Sequence, residues 1–303
     1  MITRYTHGTS TWVDVFEPTP EELRELIDAH DIPLTLTTDL SGPVPRSEAT
    51  CVDGVIKVTL DFPVVKLSRR ERPQEIKFLI TDDTLITIRY DDVAALHQFS
   101  KEFEVAATLG KSATALRGSH LFIAVIQALY AALNQKLDYL EAQLTEVEEH
   151  IFDAREKEMV TTISRTSQRL VLFRQTFTEH PSTLAQAHAS LRECFPDAVP
   201  EGIQQLRARC TDIDRRLSHL FASAVELRET NNALLTTKQN EIMKTLTIMA
   251  FVTFPLSLLT SMFGMNTATL PLVGTPGDFW YILGGMVLAT AGFFAFFKYK
   301  RWM

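Results

Sequence analysis

This chain is poor in cysteine, and its last fifth is nearly empty of charge, histidine and thiol. It has three cysteines in 303 residues. Cys51, Cys194 and Cys210 stand far apart, without the paired spacing of a zinc site or the density of a disulfide scaffold. They read as free thiols in a reducing cytosol. None of the eight histidines, which run from His7 to His219, belongs to a HExxH pair. No phosphate loop, catalytic-triad spacing or metal-hydrolase motif is present, so nothing points to an enzyme or to an organic cofactor. Residues 1–30 hold no apolar core segment, and no signal peptide is expected. From residue 245 onward only Asp278, Lys298, Lys300 and Arg301 are charged, a net of +2, so the first 244 residues carry −9 of the overall −7. An acidic soluble region lacks the basic patches that nucleic acid requires. It is compatible with divalent cations.

The weakly charged end holds two apolar runs, Thr245–Phe263 and Phe279–Phe297. Each is long enough to cross a bilayer as a helix, which takes ~20 residues. Lys238 and Lys244 precede the first run, and Lys298, Lys300 and Arg301 follow the second, whereas the loop between them has no basic residue. The positive-inside rule therefore predicts a multi-pass protein of the inner or plasma membrane, with both termini cytoplasmic. Trp280 and Tyr281 open the second run and Tyr299 and Trp302 close it, where interfacial aromatics belong. Two helices alone cannot enclose a water-filled path. A largely soluble chain with such an ending suggests one subunit of an oligomeric pore in the lipid bilayer.

The fold class expected is α+β, in three parts: an α/β domain over 1–110, a helical stalk region over 111–244 and a transmembrane hairpin over 245–303. Thr19 as N-cap, Pro20 at the first position and acids in the first turn start a helix. Asp53-Gly54 between Val52 and Val55 marks a hairpin. Val55–Phe62, Ile76–Ile80 and Leu85–Tyr90 read as strands, and 68–73 as a charged loop. Ile126, Leu133, Leu137, Leu140, Leu144, Val147 and Ile151 recur at helical spacing. A more polar helical run, Thr161–Phe177, ends before His180-Pro181. From Ile203 through Leu206, Cys210, Ile213, Leu217, Leu220, Ala224, Leu227, Asn231, Leu234 and Lys238, steps of three and four alternate as in a heptad seam. Nothing forces a break before Pro255, so one helix of about 90 Å is predicted from Ile203 to Phe263.

Asn240-Glu241-Ile242-Met243-Lys244-Thr245-Leu246-Thr247, then Pro255-Leu256, then Phe263-Gly264-Met265-Asn266 resembles the CorA family of divalent cation transporters. The placement of Gly-Met-Asn at the end of the first of two C-terminal spans carries most of that resemblance. Trp12-Val13-Asp14 and Ile151-Phe152-Asp153 fit more loosely. The resemblance implies a funnel-shaped homopentamer whose first spans line a central pore, with Gly264, Met265 and Asn266 as selectivity filter and entrance. It implies influx of Mg²⁺, with Co²⁺ or Ni²⁺ as further cargo. The ZntB branch, a Zn²⁺ transporter, is the alternative, and a membrane-anchored coiled-coil scaffold is a third reading.

On a helical wheel Asn240, Met243, Thr247, Ala250, Phe254, Ser257 and Ser261 share one stripe, and Leu246 borders it. The stripe is neutral. Mg²⁺ dehydrates reluctantly, so amides and hydroxyls suit a hydrated ion, which Asn266 would meet first. Hydrophobic rings at Met243 and Leu246 suit closure by dewetting. Taken alone, Gly264-Met265-Asn266 reads as a helix cap and turn, and only the resemblance makes it a pore entrance; for Asn240 a polar heptad residue is the alternative to a pore ligand. The outer loop has one acid, Asp278, and the spans and loop have no nitrogen or sulfur ligand suited to Zn²⁺. The position of a regulatory cytosolic metal site is unknown; Asp82, Asp83, Asp212 and Asp214 are candidates by type only.

Overall fold

The computed structural model describes residues 1–42, 47–63, 73–108, 117–153, 155–196, 202–265, 274 and 277–300. Most of the charged loop at 68–73, Asn266 with most of the outer loop, and Arg301 with Trp302 lie outside them. The chain forms two compact units, Met1–Arg228 and Glu229–Met303.

The first unit is built on a mixed six-stranded sheet. Its strands are β1 (Ile2–His7), β2 (Ser10–Phe16), β3 (Glu48–Val52), β4 (Val55–Phe62), β5 (Gln74–Ile80) and β6 (Thr84–Arg89), in the order β1-β2-β6-β5-β4-β3. The β2–β6 pair is parallel and all others are antiparallel. Local chemistry sets several of these elements. Asp53 and Gly54 turn β3 into β4 with φ of 50° and 78°, the left-handed pair that a two-residue hairpin needs. Helix α1 (Pro20–Ala29) starts with a full capping box, in which Thr19 accepts from the Glu22 N–H and Glu22 accepts from the Thr19 N–H.

Alternation along the strands gives the sheet two buried faces. Val13, Val15, Leu79, Ile86 and Ile88 form one core with Leu23, Leu26 and Leu36 of α1 and of α2 (Leu34–Thr37). On the other face Trp12 meets Phe99 and Phe103 of α3 (Ala94–Thr108), and Phe78 meets Phe122 of α4 (Gly118–Ile151). The parallel register Asp14↔Thr87 and Phe16↔Arg89 explains Trp12-Val13-Asp14. The Arg89 guanidinium grips Asp14 at 3.0–3.3 Å, the Thr87 hydroxyl donates to Asp14 at 2.7 Å, and the Trp12 indole donates to Thr87 at 3.1 Å. A buried ion pair holds only when its remaining lone pairs find donors, and here they do.

The predicted apolar face of α4, from Ile126 to Ile151, is buried throughout. Next come α5 (Glu156–Phe177), α6 (His180–Cys194), α7 (Gly202–Phe263) and, after the loop, α8 (Asp278–Tyr299). Helix α5 ends at Phe177, before His180-Pro181 as expected, and Pro181 then sits in the first turn of α6, where a missing N–H costs nothing. The heptad seam of α7 is buried from Ile203 to Leu227, but within its own chain. Arg216 pairs with Asp138 and Glu141 of α4, and Arg174 of α5 lies over the Phe221 ring at 5.4 Å. That stretch of the seam is therefore filled by neighbouring helices of the same subunit.

The reading of three free thiols needs correction. Cys51 on β3 and Cys194 at the end of α6 form a disulfide, with Cα atoms 6.5 Å apart and 143 residues between them in sequence. Helix α6 packs along β3 and β4 and lends the Gln186 carbonyl to the Ala49 N–H at 3.3 Å, which brings the distant thiols together. Cys210 is free and buried.

Candidate ion pathway

Both C-terminal helices are long and apolar enough to span a membrane, and only 6% and 0% of their most apolar windows are buried. A core helix of a soluble protein would be buried. Contiguous exposed apolar surface of this size calls for lipid or a protein partner. Around α8 the aromatics Trp280, Tyr281 and Tyr299 are all highly exposed near its ends, as an interfacial belt requires.

Within the second unit the residues of the first span sort into two stripes. Asn240, Met243, Leu246, Thr247, Phe254, Ser257 and Ser261 are exposed and Ala250 is half-exposed. The less exposed set is Ile248, Val252, Pro255, Leu256, Leu259 and Phe263. At 3.6 residues per turn the two stripes lie about half a turn apart. On α8 the less exposed set is Ile282, Met286, Ala289, Thr290, Phe293 and Phe297, again at steps of three and four. Phe251 of the first span and Phe297 of α8 have ring centroids 6.5 Å apart. The less exposed stripe thus leaves Asn240, Thr247, Ser257 and Ser261, with the bulkier Met243, Leu246 and Phe254, on the opposite face.

Chemically that face offers acceptors and no charge. The Thr247 hydroxyl donates to the Met243 carbonyl at 2.7 Å. Its proton is thereby committed to the helix, and its lone pairs remain for the hydrogens of a hydrated cation. Thr260 does the same with Leu256 and Ser257. The helix runs through Pro255 without a break.

At its end, the Gly264 N–H donates to Thr260 at 2.9 Å and the Met265 N–H to Met262 at 3.4 Å. Gly264 permits the tight backbone turn that ends the helix. It is absent from the positive-φ glycines, and a Cβ there would come within 3.1 Å of the Thr260 carbonyl. Gly264 is the turn residue that directly follows the last helical residue, Phe263. Asn266 lies outside the described residues. Asp278 accepts from the Gly274 N–H at 3.2 Å and from its neighbour Phe279, so the loop's acid stands at the positive end of α8.

The acids proposed by type are not brought together. Asp82 pairs with Arg117 at 3.2 Å and Asp83 accepts from Thr84, both in the β5–β6 turn, while Asp212 pairs with Arg215 on α7. Among the described residues no group of three or more histidine, cysteine, aspartate or glutamate side chains is placed to hold a metal.

A buried polar chain in the first unit escaped the sequence reading. His180 is fully buried; its Nε2–H donates to the Asp61 carbonyl at 2.6 Å, so Nδ1 accepts from the Tyr130 hydroxyl at 2.9 Å. Tyr130 in turn contacts Cys210, whose thiol burial pushes up to about 11. Burial holds the imidazole down to about 4, so it is neutral at physiological pH. The chain links β4, α6, α4 and α7. Only the unusual His-Pro at a helix start hinted at it.

The model of the CorA-like Mg²⁺ transporter protein family matches residues 7–301. This chain belongs to the CorA-like family. It is accordingly a member of a family of divalent-cation transporters and not an enzyme. A cobalt/magnesium transport protein CorA of Methanocaldococcus jannaschii is 22% identical over 302 residues, covering 96% of this chain and 91% of that protein. A zinc transport protein ZntB of Pectobacterium atrosepticum is 20% identical, covering 96% and 88%. The complete structure of a CorA magnesium transporter from M. jannaschii superposes with a TM-score of 0.66 at 20% identity, covering 97% of this chain and 92% of that one. The mixed α/β unit followed by helices and two C-terminal apolar helices is therefore the CorA fold.

Proposed function

We propose that this CorA-family chain is one subunit of a homopentameric Mg²⁺ influx channel in the inner or plasma membrane, with both termini cytoplasmic. Residues 1–110 form its cytosolic α/β domain, 111–244 its helical stalk region and 245–303 its membrane hairpin. The observation that carries the reading is the uncovered neutral stripe of the first span, opposite its less exposed face. Around a symmetry axis, five such stripes would enclose a path of hydroxyls, amides and carbonyls. Such a lining suits an ion that keeps its waters, as Mg²⁺ does. Gly264, Met265 and Asn266 form the entrance, and Asn266 meets the hydrated ion first. Thr247, Ala250, Ser257 and Ser261 supply small or polar lining. Met243, Leu246 and Phe254 narrow it, and Asn240 closes the series at the cytoplasmic end. Hydrophobic rings at Met243 and Leu246 stop conduction by dewetting.

Zn²⁺ is the second reading, because ZntB relatives match over the same length and the loop has a single acid. Against it, the spans and loop contain no histidine or cysteine, the ligands that hold Zn²⁺ best alongside carboxylates. The test is Mg²⁺ and Zn²⁺ influx into proteoliposomes, wild type beside Asn266→Ala. Mg²⁺ influx that falls at least ~10-fold in the variant is expected if an amide ring at the mouth orders the ion's waters. Zn²⁺ influx alone would transfer the chain to the ZntB reading. No influx of either ion would leave the scaffold.

A further inference from the structure

We infer that Cys51 and Cys194 form a thiol–disulfide exchange site for low-molecular-weight disulfides of the glutathione class, and that its state sets how firmly α6 is held on the sheet. The inference rests on the cytoplasmic placement of the first unit proposed above. Glutathione keeps cytosolic thiols reduced, and a disulfide found there is usually a transient, redox-responsive one.

Three observations carry it. Cys51 and Cys194 are bonded, yet each residue is only partly buried, which places the pair near the surface of the fold and not in its core. Cys210, in contrast, is enclosed and its thiol is pushed up to about 11, which withholds the thiolate that exchange needs. Second, β3 is an edge strand of the sheet, and α6 packs along it. The Ala49 N–H donates to the Gln186 side-chain carbonyl across it at 3.3 Å. The disulfide is the only covalent tie across this edge among the described residues. Third, α6 carries His180, the hub of the buried chain that reaches Tyr130 on α4 and, through it, Cys210 on α7. A tie on α6 therefore acts on the helix that joins the sheet to the longer helices.

The chemistry balances. One cysteine thiolate attacks oxidised glutathione, forming a mixed disulfide and releasing one glutathione thiolate. The second cysteine thiolate then attacks the protein sulfur and releases the other. Two electrons pass to glutathione, and the two protons end on its two thiols. Reduction runs the same steps backwards.

The experiment equilibrates the full-length protein, in detergent or nanodiscs, with glutathione buffers from fully oxidising to cytosolic poise. Differential alkylation and mass spectrometry read the Cys51–Cys194 bond, and amide hydrogen exchange reads α6 and β3. The expected result is a bond that opens at cytosolic poise and re-forms in oxidised glutathione. Opening should speed exchange in β3 and α6 by ~10-fold or more, with α4 unchanged. Cys51→Ser and Cys194→Ser should each reproduce the reduced pattern under oxidising buffer. The untouched chain supplies the same comparison if a variant fails to fold. A bond that resists reduction at cytosolic poise would make it a fixed structural link, and equal exchange in both states would remove its effect on α6; either overturns the inference. A membrane-impermeant maleimide on intact cells, after reduction, reads the compartment separately. Labelling only after lysis supports the inference. Labelling of whole cells would overturn it through its compartment, with the chemistry still measured.

Discussion

The two compact units treat apolar side chains in opposite ways. In Met1–Arg228, Trp12, Phe78, Phe122, Phe173 and Phe177 are all buried, and the exposed large apolar residues, such as Leu34, Val105 and Phe152, are scattered along the chain. In Glu229–Met303, Met243, Phe251, Phe254, Leu258, Val287 and Leu288 are exposed together. The polar groups differ in the same sense. The first unit encloses ion pairs and a histidine chain, each answered by a partner. The first apolar helix of the second unit sets Thr247, Ser257 and Ser261 along an open face, and Thr247 donates its proton to the helix's own backbone. The difference is one of solvent. A unit surrounded by water must hide apolar area and satisfy whatever polar groups it hides. A helix surrounded by lipid gains nothing from hiding leucine, and its surface is free for packing against neighbours.

Three measurements would break or sharpen that contrast. The largest effect is expected at Asp14. Asp14→Ala leaves the buried Arg89 guanidinium with the exposed Asp92 carboxylate at 3.7 Å and the Asp91 carbonyl at 3.1 Å in place of its close buried partner, and the first unit should lose about 3 kcal/mol or more, read as the denaturant midpoint of the full chain. A loss comparable to that of an exposed pair would mean the network is wetter than its geometry implies.

His180 comes next. Its pKa lies near 4 in the fold against 6.5 for the free side chain. Above pH 6.5 both states are neutral and the full stability is present. Between 6.5 and about 4 the unfolded chain takes up a proton that the folded one refuses, so stability falls with falling pH. The loss over that window is about 3 kcal/mol. Asp61 is shifted upward, first by burial and then by Glu75, and contributes with the opposite sign. The informative quantity is therefore the wild-type pH slope minus that of His180→Gln, from urea midpoints at pH 7 and pH 4.5. Equal slopes would show that the imidazole is not held neutral.

The smallest effect separates the second unit from the first. Leu246→Ala removes exposed apolar bulk, so stability should move by no more than about 0.5 kcal/mol, as for ordinary surface changes. If Leu246 narrows the path, Mg²⁺ influx should rise a few-fold in proteoliposomes. A large loss of stability with unchanged influx would place Leu246 in a packed interface and take it off the path.

Much of this molecule was legible in local patterns. Thr19-Pro20 with Glu22, the Asp53-Gly54 turn, the apolar face of α4 and the two spans each declare themselves within a few residues, because caps, turns and periods are short-range properties. Helix α6 is harder to see. Its buried face mixes His180, Thr183 and Ser190 with Leu184, Ala187 and Leu191, which blurs the apolar period. Strand β1 and helix α3 were likewise not placed beforehand. The stripe from Asn240 to Ser261 follows from spacing alone. That its opposite face is the less exposed one depends on where α8 lies.

By itself the sequence determined the order of helices and strands it could mark with caps, the two long apolar C-terminal helices, and the family. Only the tertiary structure decided the partners. It paired Cys51 with Cys194 across 143 residues, set Arg89 on Asp14 through a parallel register, joined His180 to Tyr130, and filled the seam of α7 from within the chain. The physical reason is that periodicity records which side of an element is buried, whereas the identity of what covers it depends on topology, which no short stretch of sequence contains.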